Sequence, residues 1–190
     1  MISHWCAIFR LRFLMRQVVK LLLERRASFT ATDKMNRTPL MAAAVAADAI
    51  ALKALLEVNA VVDTQRASLP KPNHLLNGNT ALIDAATANR GSAVQALLTA
   101  RASPDLANER QETALMHACD MNCIHPVRKL LEANASIDLL DRSGKTCLMW
   151  ACRHGAAESV KEILMQPRAQ LMLCLREKGY GFSALVYACR

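Results

Sequence analysis

Four side chains within nine residues, His117, Cys119, Cys123 and His125, are of the kinds that ligate zinc. Zinc requires them to converge on one point. Residues two apart on a helix point about 200° apart, so His117 and Cys119 would face opposite sides. Cys119 also shares a periodic position with Cys152 and Cys189, where earlier segments carry Ala44 and Ala86. That pattern reads as a small buried filler, a common fate of free cysteine. Thiols on neighbouring packed helices would lie about 8–10 Å apart, beyond the reach of a disulfide. Gly144-Lys145-Thr146 matches the end of a phosphate-binding loop, in which backbone N–H groups and the lysine hold phosphates. That loop needs a glycine where Leu139 stands, and a strand before it. A turn glycine, an exposed lysine and a helix cap account for the same three residues. There is no plausible nucleophile–base–acid set and no carboxylate pair of defined geometry. His4, His74, His117, His125 and His154 form no recurrent constellation. The expectation is a chain that is not an enzyme and holds no cofactor and no metal.

The elements that carry these residues are short helices in a repeated pattern. From Asp141 the chain reads as a turn, a helix capped by the Thr146 hydroxyl, a reversal at Gly155, and a second helix. Val160, Ile163 and Leu164 fall at i, i+3 and i+4 and form one apolar stripe on that second helix. Thr113 lies 33 residues before Thr146 and opens Thr113-Ala114-Leu115-Met116-His117-Ala118-Cys119. Thr80 lies 33 residues earlier again, and Thr38 lies 42 before that, opening Thr38-Pro39-Leu40-Met41-Ala42-Ala43-Ala44. The pairs Leu22-Leu23, Leu55-Leu56, Leu97-Leu98, Leu130-Leu131 and Ile163-Leu164 keep the same beat. Each of the first four is followed, after three residues, by Ala27, Ala60, Ala102 or Ala135.

A 33-residue unit of turn and two helices, signed Thr-Pro-Leu-x-x-Ala-Ala, resembles the ankyrin repeat over roughly residues 17 to 190. The resemblance implies an all-α fold, an ankyrin-repeat solenoid of stacked helical hairpins with projecting finger turns. Residues 1–32 then form a degenerate basic N-terminal repeat, and 33–190 hold units at 33–74, 75–107, 108–140, 141–177 and an incomplete 178–190. The family's histidine after Thr-Pro-Leu is replaced by Met41, Ile83, Met116, Met149 and Val186, and its reversal glycine is kept only at Gly155. Asn89 and Asn122 can adopt the same backbone state, whereas Ala47 would be strained there.

The 190 residues are 53% hydrophobic and 4% aromatic, which suits small side chains between closely packed helices and is enough for one substantial domain. Residues 1–30 hold Arg10, Arg12, Arg16, Lys20, Arg25 and Arg26 against Glu24, so they carry +5 of the chain's +8. Arginines interrupt the apolar run that a secretory signal needs. A worn first repeat, its first helix near Trp5 to Leu14, is favoured over a mitochondrial-type targeting helix because Val18, Val19, Leu22, Leu23 and Ala27 keep register. The extra nine residues of the first full unit fall in 64–77, where two prolines predict a surface loop on a finger. Such a loop is a contact element or a tolerated insertion. Four residues are added between Thr146 and Ser183, and the chain stops at Arg190 inside the first helix of a sixth unit, as a fragment of a longer product would. No apolar run spans a membrane. Seven cysteines, an odd number, fit a reducing compartment, so cytoplasm or nucleus is expected. There the sequons at Asn36 and Asn134 stay unmodified.

What remains is surface. The residue before each small pair reads Ala42, Asp84, His117, Trp150, Tyr187. The ankyrin resemblance puts this column on the concave face, facing outward, over about 20 Å for the last three. Trp150 and Tyr187 beside Arg153 are the residue types that dominate binding energy. Arg142 and Lys145 join a basic rim that favours an acidic partner. The expected role is a protein-interaction module or scaffold that binds a protein or peptide, acidic with an apolar anchor, through Asp84, His117, Trp150, Arg153, Tyr187, Arg142 and Lys145. One alternative is a regulatory segment of a larger enzyme or channel. A second is nucleic-acid binding through the basic surface, disfavoured because the excess charge sits in the N-terminal segment and aromatic platforms are few.

Overall fold

The computed structural model describes residues 17–22, 24, 25, 27, 28, 30–46, 48–57, 60–67 and 78–189. The first helix expected near Trp5 to Leu14, the strain expected at Ala47 and the middle of the insertion lie outside them. Among the described residues all regular structure is helical. A helical stretch at 17–22 is followed by α1 (Pro39–Ala46), α2 (Ala49–Glu57), α3 (Ala81–Thr87), α4 (Gly91–Thr99) and α5 (Ala114–Asp120). Then come α6 (Ile124–Glu132), α7 (Cys147–Arg153), α8 (Ala157–Leu164), α9 (Ala169–Leu173) and α10 (Ala184–Ala188).

Helices of seven to nine residues such as α3 to α7 are too short to persist alone in water, so stacking must hold them. α1, α3, α5, α7 and α10 pack side by side in that order, and α2, α4, α6 and α8 form a second layer behind them. The threonine caps behave as the sequence predicts. The Oγ1 atoms of Thr80, Thr113 and Thr146 accept from the N–H groups of Ile83, Met116 and Met149 at 3.2, 3.4 and 3.3 Å. The reversals at Asn89, Asn122 and Gly155 have φ of 56°, 52° and 64°, the left-handed state that lets the chain double back.

From Leu55-Leu56 onward the first residue of each pair is the more deeply buried, with Leu131 buried beside Leu130, whereas Leu22 of the first pair is exposed. Leu55, Leu97, Leu130 and Ile163 are buried, whereas Leu164 is exposed. Met41, Ile83, Met116 and Met149 are buried too, so the position of the family histidine is here an apolar column, while Val186 is exposed. The cysteine position is less uniform than expected. Cys119 is buried, but Cys152 is half-buried and Cys189 exposed, so the filler role holds for Cys119 alone. Hydrogen bonding with the Cys147 thiol, together with burial, pushes the Cys119 thiol well above its ordinary pKa.

One backbone motif recurs in the fingers. Asp33, Asn108 and Asp141 donate their N–H to the carbonyl of Arg37, Glu112 and Lys145, each at 3.0 Å. Their side-chain oxygens accept from N–H groups within the turn, as Asn108 Oδ1 does from Arg110 and Glu112 at 2.9 and 3.0 Å. The carbonyls of Asp33, Asn108 and Asp141 accept in turn from the N–H groups of Asn36, Gln111 and Gly144 at 2.9 Å. Arg66 makes the same pair of bonds, its N–H to the Asn79 carbonyl at 2.8 Å and its carbonyl from Gly78 N–H at 2.9 Å. Arg66 thus stands where the other turns have Asp or Asn, and the extra residues enter after it, between 66 and 78. Expected on a surface loop, it is instead 4% exposed.

Candidate functional site

The finger turns and the first helices present their polar atoms to one another across the repeats. Arg66 reaches under its finger to the Asp84 carboxylate on α3, whose Oδ1 also accepts from Asn79 Nδ2 at 3.0 Å. Asn108 Nδ2, one repeat on, donates to Asn79 Oδ1 at 3.1 Å and to Glu112 Oε2 at 3.0 Å. Glu112 Oε2 lies 3.3 Å from His117 Nε2, and Glu112 Oε1 lies 3.3 Å from Arg110 Nε. Further along, Asp120 pairs with His154 at 2.9 Å. The result is a chain of polar contacts running from α3 to α5, with a last pair bridging to the end of α7.

The two buried carboxyls respond differently to this setting. Burial pushes Asp84 up, against the pull of Asn79 and Arg66. Burial also pushes Glu112 up, but hydrogen bonds from His117 and Asn108 and the charges of His117 and Arg110 outweigh it, so Glu112 sits below its ordinary value.

The outward column expected from the sequence is only partly outward. Asp84 is buried, 6% exposed, and bonded to Arg66, which corrects its placement on an open face: the residue laid over it comes from the finger turn just before the insertion. His117 is half-buried and turned to Glu112. Trp150 is half-buried, with one side against the core. Its ring lies 5.3 Å from Lys145 Nζ and 5.6 Å from the Arg153 guanidinium carbon, within cation–π range of both. The indole Nε1–H is buried and has no hydrogen-bond partner. Arg142 and Arg153 are exposed, and Arg142 holds its turn to the previous finger through an N–H bond to the Arg110 carbonyl at 3.0 Å.

Tyr187 begins an aromatic cluster that sequence reading did not include. Phe182 meets it edge-on with centroids 5.7 Å apart and stacks on Tyr180 at 5.3 Å, while Tyr180 itself is 85% exposed. Phe182 occupies the finger position that Lys145 holds one unit earlier, just before the capping residue, so tracking that position along the repeats could have found it. Glu112 is the same position two units before, and it was missed for the same reason.

The space beside this column is small. Glu112, Met116, His117, Asp120 and Trp150 line a cleft of about 20 Å³, room for about one water molecule and not for an organic ligand. A wider groove of about 650 Å³ lies elsewhere, between α2 and α4, and its walls are largely apolar. Among the described residues no three His, Cys, Asp or Glu side chains are grouped as metal ligands. His117 faces Glu112, and the Cys123 thiol donates to the Met121 carbonyl at 3.4 Å. Lys145 lies over the Trp150 ring, Gly144 takes its turn at φ 83°, and Thr146 caps α7, which accounts for all three residues of the loop-like motif. No described helix is long and apolar enough to cross a membrane.

A family model described as ankyrin repeats (3 copies) matches residues 4–107 and 88–173. No curated protein matches the chain.

Proposed function

This chain belongs to the ankyrin-repeat family, whose members are in general protein-interaction modules; from that premise we propose that it binds an acidic protein segment through Trp150 and the cations on either side of it. The observation that carries the reading is the ring of Trp150 between Lys145 and Arg153. Neither cation is within ion-pair distance of a carboxylate among the described ion pairs; Glu177, the carboxylate that feels the Lys145 charge, is held by the N–H groups of Gly179 and Tyr180, and Glu112 faces His117 and Arg110. An incoming carboxylate would therefore meet cations without displacing one. The apolar anchor of the same segment would meet the half-buried Trp150 and the Tyr187–Phe182–Tyr180 cluster. Tryptophan, tyrosine and arginine supply most of the energy at such surfaces, and the basic rim speeds association with an acidic partner. The cleft of about 20 Å³ favours an extended segment lying across the face over a small molecule held in a pocket.

A series of acidic peptides, each with one apolar residue, titrated calorimetrically against the full chain tests this. Trp150→Ala should weaken binding by about 2 kcal/mol or more while the far-UV spectrum and urea midpoint stay near wild type. Should Trp150→Ala instead unfold the chain, with the folded remainder binding as before, the ring is structural and the reading is wrong.

A further inference from the structure

Arg25-Arg26-Ala27-Ser28-Phe29 places two guanidinium groups three and two residues ahead of a hydroxyl, with an aromatic side chain directly after it. Kinases choose substrates by charge pattern, and acidic pockets in those that prefer basic substrates read arginines through charge-assisted, bidentate bonds. Arg25, Ala27 and Ser28 lie at the end of the helical stretch that begins the described chain. Arg25 and Ala27 donate their N–H groups to the Leu21 and Leu22 carbonyls at 3.0 and 2.9 Å, and beyond them the chain is non-helical. Arg25, Ser28, Thr30 and Ala31 are all exposed.

The repeat supplies an internal comparison. Ser28, Ser103 and Ser136 each follow the periodic alanine directly. Ser136 is half-buried, and its Oγ donates to the Asp105 carboxylate at 2.5 Å. Ser103 has its N–H bound to Asp63 at 3.1 Å, a single arginine two residues before it, and Pro104 after it. Ser28 differs from both. Its hydroxyl oxygen accepts from the N–H groups of Thr30 and Ala31 at 3.4 and 3.2 Å and lies 3.0 Å from Thr30 Oγ1.

We propose that Ser28 is a phosphorylation site for a serine/threonine kinase that selects arginine at the third and second positions before its target. In the step, Ser28 Oγ attacks the γ-phosphorus of magnesium-bound ATP. The hydroxyl proton passes to the kinase's catalytic carboxylate, and the bond to the bridging oxygen breaks, releasing ADP. The product suits the turn, because the donors already aimed at Oγ make stronger bonds to a phosphate. The modification also changes the charge of the segment. Residues 1–30 carry six basic side chains and one acid, a net of +5, and a phosphate removes about 1.5 to 2 of it. The site is separate from the Trp150 surface and stands or falls independently of it.

The test incubates the folded, full-length chain with Mg-ATP and the catalytic subunit of such a kinase, and maps the phosphate by peptide mass spectrometry. Ser28→Ala and the double variant Arg25→Ala/Arg26→Ala run in parallel. The expected result is one phosphate on Ser28, lost in Ser28→Ala, with kcat/KM at least about tenfold lower in the double variant. Incorporation that persists in Ser28→Ala, that ignores the loss of both arginines, that needs prior denaturation, or that never occurs overturns the proposal.

Discussion

Replacing Arg66 by Met should destabilise the protein far more than its place beside an insertion suggests. The Arg66 side chain is 2% exposed and the Asp84 side chain 6%, so the pair sits out of water. Without the guanidinium, Asp84 Oδ2 loses its partner and only Asn79 Nδ2 at 3.0 Å still bonds the carboxylate. Breaking a buried pair from one side costs about 3–5 kcal/mol, because the remaining charge is left in a poor medium. A loop residue on the surface would cost less than about 0.5 kcal/mol. Replacing both partners, Arg66→Met with Asp84→Leu, removes the stranded charge and should bring stability back to near wild type or above it. The sign with pH follows from burial raising the folded-state pKa of Asp84. In wild type Arg66 pulls that pKa back down, so its loss raises the Asp84 pKa further, and Arg66→Met should regain stability relative to wild type as pH falls from 7 and lose it again as pH rises. Urea denaturation followed by far-UV circular dichroism, on wild type, both single variants and the double variant at pH 7 and pH 5, supplies the whole cycle. A loss below about 0.5 kcal/mol for Arg66→Met at pH 7 would refute the buried pair, and with it the location of the insertion after Arg66.

Other outcomes follow from the same geometry. Leu130 is fully buried and Leu164 exposed, so Leu130→Ala should cost about 2–5 kcal/mol and Leu164→Ala under about 1, read by the same denaturation. Gly78 and Gly155 both have positive φ, 73° and 64°, but an added Cβ at Gly78 would lie 2.7 Å from the Glu109 backbone nitrogen and at Gly155 would meet nothing within 4 Å. Gly155→Ala should therefore show only the left-handed penalty of about 1–2 kcal/mol, and Gly78→Ala a larger loss; equal losses would contradict the close approach at Gly78. Glu112 has a depressed folded pKa, so the stability it contributes is present above its unfolded value near about 4.3 and disappears as pH falls through the lower folded one. The gap in urea midpoint between wild type and Glu112→Gln should narrow on acidification from pH 7 to pH 3, and a gap constant over that range would remove Glu112 from the account.

The repeat was legible because its landmarks are local. A threonine cap and a leucine pair depend on the chain a few residues either side, and Thr80, Thr113 and Thr146 cap α3, α5 and α7 where their spacing puts them. The misplacements share one cause, which is that burial depends on what another segment lays on top. Asp84 occupies an outward position in its own helix, but Arg66 covers it, and Arg66 is hidden from a pattern search because it replaces the Asp or Asn of the other turns. The cysteine column was judged against its own repeat position, whereas the thiol that reaches Cys119 is Cys147, from a different position of the next unit. Tyr180 and Phe182 went unseen because finger positions, unlike helix positions, have no periodic apolar residue to align them.

The cross-repeat bonds have a mechanical consequence. Ser103 N–H to Asp63, Ser136 to Asp105, Arg142 N–H to the Arg110 carbonyl and Lys178 N–H to the Ser143 carbonyl fasten each unit from 75–107 onward to the one before it. Each such clasp breaks only when its own junction opens. Under tension from its two ends, the solenoid should behave like a zipper, giving way at a terminal unit and then one junction at a time. Opening an inner unit first would undo the clasps on both of its sides at once.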